Sequence, residues 1–527
     1  MNGCIKIGAL LQTVVPSRRV VLAIWCLLPI HILTSAFLFA QEDVKVEVLF
    51  ESVLEPVECP LPKSPIADAL VGRAKCGWFE VWENRTIESG RRIKLHVMLI
   101  PATKAIAKPD PVFMLAGGPG QAATEAYPAL LYRLDELVKE RDIILVDQRG
   151  TGLSNPLDCF PDYENPNSLN LSFEEMAALQ TQQMQKCLAE YNAAPEFYGT
   201  QNAMDDLEQL RLALGYEQIN LMGVSYGTRA ALVYLRRHEK AVRSLVIDGV
   251  VPPTRSLPSF FIRDAENSLS GTIQQCEQNS DCQQQFPYLR KHLEDLLTNL
   301  RETPSRIVVT NAITGEDESI TIYADTVSSI LRFVLYSRDL STLLPLAIEE
   351  AYRGNYKVLS AFGAMLDPES MDMSTGMQYS VLCGEDFTQP LAQDPARDSY
   401  KFFRPSLIES IYDVCEFWPT AKVSPEYFLP VTSDVPVLLT SGALDPVTPP
   451  VWGEEAALSL SNSRHIVVPN VGHGTWAFGC MPGVIAEFVA NLDTQGLAAS
   501  CVDDIRRPDF FYNPSGPVVR TEVQARD

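Results

Sequence analysis

Histidine is scarce in this chain, six in 527 residues, and no closely spaced pair of them offers a metal site. No Cys-x-x-Cys occurs either, so zinc has no donor set to build on. Nucleotide and phosphate sites find no support, internal repeats are missing, and no cofactor is expected. Positive charge is also short: 43 Lys and Arg stand against 66 Asp and Glu, a formal net charge of -23. That balance argues against nucleic acid or an anionic membrane surface as a partner. Acids are lacking altogether from the first forty residues, where Lys6, Arg18 and Arg19 precede the apolar run Val20-Val-Leu-Ala-Ile-Trp-Cys-Leu-Leu28 and small residues near Ala40. Residues 1–40 read as a secretory signal peptide cleaved after Ala36 or Ala40, with Pro29, His31, Thr34 and Ser35 interrupting the run. The alternative is an uncleaved N-terminal anchor. Ser17-Arg-Arg19 is an incomplete twin-arginine pattern. A secreted or periplasmic protein follows, with no stable membrane association once the leader is gone.

Of the twelve cysteines, loss of Cys4 and Cys26 with the leader leaves ten, an even number in an exported chain, so disulfides are the expectation. Pairing in sequence order gives Cys59 with Cys76, Cys159 with Cys187, Cys276 with Cys282, Cys383 with Cys415 and Cys480 with Cys501. It is one of many connectivities that ten cysteines allow.

The chemistry is carried by Gly223-Val-Ser-Tyr-Gly227, between the apolar run Ile219-Asn-Leu-Met222 and the helical stretch Thr228-Arg-Ala-Ala-Leu-Val-Tyr-Leu-Arg236. A strand, a tight turn and a helix put Ser225 at a strained tip, and the glycines let strand and helix approach closely. Downstream, Val435-Pro-Val-Leu-Leu-Thr-Ser-Gly-Ala-Leu-Asp445 reads as a buried strand ending in an acid. His465-Ile-Val-Val-Pro-Asn-Val-Gly-His-Gly474 reads as a strand running into a histidine loop. The chain order Ser225, Asp445, His473 is that of the α/β-hydrolase triad: His473 takes the serine proton, and Asp445 fixes its tautomer and stabilises the imidazolium. Asp248 also ends a core strand, and His465 lies close to His473, but order and the Gly-His-Gly setting favour Asp445 and His473. Val112-Phe-Met-Leu-Ala-Gly-Gly-Pro-Gly120 supplies a glycine turn, so the Gly118 amide, with that of Tyr226, is expected to hold the oxyanion. Asp147 and Arg149 are expected to organise the turn after their strand.

With Gly117-Gly-Pro-Gly120, Asp147-Gln-Arg-Gly-Thr-Gly-Leu-Ser154, Gly223-Val-Ser-Tyr-Gly227, Asp445-Pro-Val-Thr-Pro449 and Gly472-His-Gly474 in this order, the chain resembles the proline iminopeptidase and tripeptidyl aminopeptidase family of α/β-hydrolases, over nearly all of its mature length. Ala116 stands where iminopeptidases usually carry a histidine. The resemblance implies a serine exopeptidase that releases N-terminal proline, dipeptides or tripeptides from peptide substrates, with cap acids holding the free amine. Glu385 and Asp386, in Leu382-Cys-Gly-Glu-Asp-Phe387, are the candidates. A carboxylesterase or lipase-like hydrolase with the same triad is the second reading, and a catalytically silent binding protein the third.

The fold class expected is α/β: a mostly parallel, doubly wound sheet with an inserted, mainly helical cap. Residues 41–252 form the first part of the core, 253–434 the cap, 435–501 the second part with its TAP-like region, and 502–527 a tail with too little pattern to assign. Three alternating segments, Val44 to Phe50, Gly77 to Trp82 and Ile93 to Ile100, read as antiparallel strands opening the sheet. Buried runs follow at Val112 to Leu115, Asp142 to Val146, Ile219 to Met222 and Val242 to Ile247. Arg290 to Leu300 and Thr326 to Leu335 have helical periodicity, and the glutamine-rich patch Gln274 to Gln285 is expected to be a surface loop.

Overall fold

The computed structural model describes residues 50–60, 72–159, 170–310, 315–364, 373–387, 399–421 and 423–517. The leader, and Val44 to Phe50 apart from Phe50 itself, lie outside the described residues; Phe50 opens one helical turn in which Leu54 N–H donates to the Phe50 carbonyl (2.9 Å). Residues from Glu55 onward form one compact unit.

Its centre is a nine-stranded sheet in the order β1-β2-β3-β5-β4-β6-β7-β10-β11. The strands are β1 Glu55–Val57, β2 Lys75–Trp82, β3 Arg92–Ile100, β4 Val112–Leu115, β5 Ile143–Val146, β6 Ile219–Val224, β7 Val242–Asp248, β10 Val437–Gly442 and β11 Ser463–Val468. The first three pair antiparallel, and β3 joins β5 antiparallel; every later pairing is parallel. Burial explains the change in sequence pattern. β4 (VFML), β5 (IILV) and β10 (VLLTSG) are buried at every position, as strands covered on both faces must be. β2 keeps a partial alternation.

Between β7 and β10 the chain is mainly helical, with Phe261–Gln278, Leu289–Glu302 and Ala324–Tyr336 among its helices. Leu289–Glu302 buries Leu289, Leu293, Leu296, Leu297 and Leu300, one stripe at helical spacing. Two features differ from expectation. The glutamine-rich patch is no loop: it is the end of Phe261–Gln278 and the short helix Ser280–Gln285, begun by Asn279, whose side chain accepts from Asp281 N–H and Cys282 N–H. Its glutamines cover the outside while Cys276 and Cys282 are buried. The region also holds an antiparallel hairpin, β8 Ser305–Thr310 with β9 Asp317–Ile322. After Cys501 the tail packs onto the helical region: Phe510 and Tyr512 join its apolar core, and Phe511 N–H donates to the Thr342 carbonyl (3.1 Å).

The disulfides are Cys59–Cys76, Cys159–Cys187, Cys276–Cys282, Cys383–Cys415 and Cys480–Cys501. Among the described residues no helix is long and apolar enough to cross a membrane, and no cluster of His, Cys, Asp or Glu could hold a metal ion.

Candidate active site

The parallel strands all present their carboxyl ends at one edge, where ligands bind in sheets of this kind. Ser225 follows β6 with φ 57° and ψ -127°, a conformation that L-residues rarely adopt, and leads directly into the helix Tyr226–His238. The glycines on either side are required by contact. A Cβ at Gly227 would collide with the Leu115 carbonyl oxygen, and one at Gly223 with the Gly227 carbonyl oxygen. Strain at a turn so confined is what holds a serine hydroxyl out from the sheet.

The loops after β10 and β11 bring the acid and the base together. His473 Nδ1–H donates to Asp445 Oδ2 at 2.8 Å, leaving Nε2 as the free ring nitrogen. Asp445 is buried and held by its own loop: Oδ1 accepts from Val447 N–H (2.9 Å) and Thr448 N–H (2.8 Å). Thr448 Oγ1 donates to Asp445 Oδ2 (2.8 Å) and lies 3.2 Å from His473 Nδ1. Burial alone would push the Asp445 carboxyl up, but the imidazole and these hydrogen bonds outweigh it and hold it below its ordinary value. For His473, burial favours the neutral ring, and the charges of Asp445 and Asp248 reverse that and raise its pKa. The ring is backed edge-on by Tyr336 at 5.1 Å between centroids, and His473 N–H donates to the Tyr336 carbonyl (3.0 Å).

Asp248, the other acid at a strand end, does not bond to the imidazole. Its Oδ2 accepts from Thr475 N–H (2.6 Å) and Trp476 N–H (3.0 Å), and its Oδ1 from the hydroxyls of Thr440 and Thr475, each at 2.8 Å. Its backbone carbonyl accepts from Ser225 N–H (2.9 Å). Next to it, Gly249 lies against the imidazole, since a Cβ there would sit 3.1 Å from His473 Cε1. One residue thus joins the serine turn to the histidine loop. His465 is elsewhere, on β11, facing Ser441 Oγ at 3.0 Å.

The glycine turn after β4 lies alongside. A Cβ at Gly117 would sit 3.2 Å from Ser225 Cβ, and Gly118 has φ 102° and precedes a cis peptide to Pro119. Asp147 and Arg149 are spent on their surroundings: Asp147 accepts from Thr124 N–H (3.0 Å) and Leu153 N–H (3.3 Å), while Arg149 clasps Asp206 through Nε (2.7 Å) and Nη2 (2.8 Å).

Glu385 and Asp386 are buried, and each is hydrogen-bonded within the chain. Asp386 receives Arg229 Nη1 on both oxygens (2.9 and 3.0 Å) and Leu257 N–H on Oδ1 (2.8 Å), a buried ion pair. Glu385 accepts from Thr200 N–H (2.6 Å), Thr200 Oγ1 (2.8 Å) and Tyr427 OH. Burial pushes its carboxyl up, against the nearby Arg229 charge and these hydrogen bonds. Thr448, Tyr336 and the anchoring by Asp248 were not read from sequence. Thr448 stood in the quoted Asp-Pro-Val-Thr-Pro stretch, whereas nothing in the local sequence marks Tyr336.

Residues 110–303 match a family model of the α/β hydrolase fold, and residues 400–501 match one described as TAP-like protein. Serine protease Hip1 of Mycobacterium tuberculosis is 24% identical over 449 residues, 79% of this chain and 86% of that protein. Tripeptidyl aminopeptidase of Streptomyces lividans is 28% identical over 194 residues, 34% of this chain and 36% of that one. Probable proline iminopeptidase of Streptomyces coelicolor is 30% identical over 157 residues, 30% of this chain and 38% of that one. Among solved structures, the proline iminopeptidase of Mycobacterium smegmatis is matched at 14% identity over 79% of this chain and 99% of that one, with a TM-score of 0.37. The chain belongs to the α/β-hydrolases with a TAP-like C-terminal region, and is a serine hydrolase.

Proposed function

We propose that the chain is an exported serine aminopeptidase that removes one to three residues from peptide N-termini through an acyl-enzyme on Ser225. The observation that carries this is the Asp445–His473 hydrogen bond, on loops leaving the same sheet edge as the strained Ser225 turn. In this reading His473 Nε2 takes the hydroxyl proton as Ser225 Oγ attacks the scissile carbonyl, and Asp445 stabilises the imidazolium. The amides of Gly118 and Tyr226 hold the oxyanion, each contributing about 3 kcal/mol to the transition state. The imidazolium passes the serine proton to the departing amine nitrogen as the C–N bond breaks. A water then loses a proton to His473 Nε2 as it attacks the acyl carbon, and the proton returns to Ser225 Oγ as the ester bond breaks and the released N-terminal fragment leaves as a carboxylate. Residues 253–434 act as the cap that excludes water and admits a chain end. Export is supported by the basic, acid-free leader and by five disulfides, the expected economy of an oxidising compartment.

Turnover of aminoacyl, dipeptidyl and tripeptidyl nitroanilides, each with a free and an acetylated amine, beside simple esters, tests the reading. Preference for free amines supports it. Equal turnover of blocked nitroanilides makes the chain a peptidase that does not read the free amine, and activity on esters alone makes it a carboxylesterase-type hydrolase instead.

A further inference from the structure

We propose that residues 373–386 form a strap that sets the geometry of the oxyanion hole, with Glu385 and Asp386 as positioning residues rather than substrate ligands. The proposal rests on Ser225 being the nucleophile and the amides of Gly118 and Tyr226 the oxyanion donors.

The two donors sit on elements with no direct chain connection, a glycine turn after β4 and the first residue of the helix after β6. One segment grips both. At its start Met373 bridges Gln121, and Ser374 N–H donates to the Gly120 carbonyl (3.0 Å). Met373 Sδ lies over the turn, where a Cβ on Gly118 would stand 3.2 Å from it. Ser374 Oγ donates to Asp158 (2.6 Å), and Gly376 N–H donates to the Leu157 carbonyl (2.8 Å), fixing this end to the core. The helix Thr375–Val381 follows and widens into the π-helical turn Leu382–Asp386. Irregular turns of this kind recur where a helix must direct particular side chains.

At the far end the two adjacent acids diverge around the helix, as neighbours do, and reach two different anchors. Asp386 takes Arg229, one turn into the helix that Tyr226 begins. Glu385 takes the N–H and hydroxyl of Thr200, the first residue of the helix Thr200–Ala213, where a carboxylate also complements the helix dipole. Thr200 Oγ1 in turn bonds to the Tyr226 hydroxyl (2.7 Å). Tyr226, Arg229, Glu385 and Asp386 are all buried away from bulk solvent. Oxyanion donors lose their advantage when misplaced by a fraction of an ångström, and a strap spanning both elements holds their separation.

A substrate-binding role and a positioning role differ in what they move. Glu385→Gln and Asp386→Asn are expected to lower kcat about tenfold or more, on free-amine and acetylated nitroanilides alike, with KM within about twofold. The rate constant for fluorophosphonate labelling of Ser225 should fall with them. Because Asp386→Asn leaves Arg229 buried with half its partner, Tyr427→Phe, which removes one hydroxyl from Glu385, and Met373→Ala, at the other end of the strap, carry the test should that variant not fold. Both are expected to lower kcat and labelling severalfold at unchanged KM. A rise in KM confined to free-amine substrates would return the acids to amine binding and overturn the strap. Labelling and kcat unaffected by all four variants would overturn it as well. Absence of wild-type labelling at Ser225 removes the proposed function and the strap together, whereas normal labelling without peptide turnover overturns only the choice of substrate.

Discussion

Asp248 offers a perturbation whose consequences separate cleanly into packing and charge. Asp248→Ala removes the acceptor of four hydrogen bonds, two from hydroxyls and two from the backbone N–H groups of Thr475 and Trp476. The hydroxyls can turn elsewhere, but the two amides cannot. Leaving each of them buried and unpaired costs about 1–3 kcal/mol, so the alanine variant should lose roughly 2–6 kcal/mol and loosen the histidine loop. Asp248→Asn behaves differently. Its oxygen can face the two amides and its NH2 the two hydroxyls, which then accept, so the loss should be about 1 kcal/mol or less. What asparagine does remove is charge. The Asp248 charge is one of the influences that raise the His473 pKa against the effect of burial. Activity needs the neutral imidazole, so it rises with pH as His473 loses its proton; without Asp248 the ring gives up that proton at lower pH. The acidic limb of kcat/KM for Asp248→Asn should therefore move to lower pH, while urea melts place its stability near wild type and well above Asp248→Ala. An unmoved limb, or equal destabilisation by asparagine and alanine, would refute the reasoning.

Asp445→Asn should cut kcat by roughly 10⁴-fold with little change in KM, because the Nδ1–H that it accepts fixes the tautomer of His473; steady-state kinetics showing less than a tenfold loss would point to another acid. Gly227→Ala should give no soluble active protein, since its Cβ meets the Leu115 carbonyl; a thermal melt and activity near wild type would contradict the packing of the serine turn. Replacing both Cys383 and Cys415 by serine opens a loop with a separation of 32 residues. That should cost about 3–4 kcal/mol in chain entropy, read as a lower urea midpoint, with a slope no smaller than wild type because the freed denatured chain exposes more surface.

What the sequence made legible was whatever is written locally. The parallel strands announced themselves because Val112–Leu115 and Ile143–Val146 are apolar at every position. The serine turn did so because Gly223 and Gly227 cannot be replaced without collision. Strand-end position alone could not separate Asp445 from Asp248; the structure does so by partners, an imidazole for one and two backbone amides for the other. Glu385 and Asp386 were visible as acids beside a cysteine, but whether an acid faces substrate or an arginine is decided by Arg229, 156 residues before Glu385 and 157 before Asp386 in the numbering of the chain. The glutamine-rich stretch misled because polarity marks exposure, not the lack of a helix, and Asn279 supplies the start of one. In hairpin β8–β9, β8 alternates in burial, but its sequence does not, because the exposed Val308 sits between Ile307 and Val309, which left only weak pattern to read.

The most direct measurement is the site and dependence of covalent labelling. The full chain is treated with a fluorophosphonate at neutral pH, digested, and mapped by mass spectrometry, with Ser225→Ala and His473→Ala treated in parallel. A single adduct on Ser225, absent from Ser225→Ala and slowed by orders of magnitude in His473→Ala, is the predicted result. An adduct on another residue, or labelling of Ser225 at the same rate without the imidazole, would contradict the assembly of Ser225, Asp445 and His473 into one reacting centre.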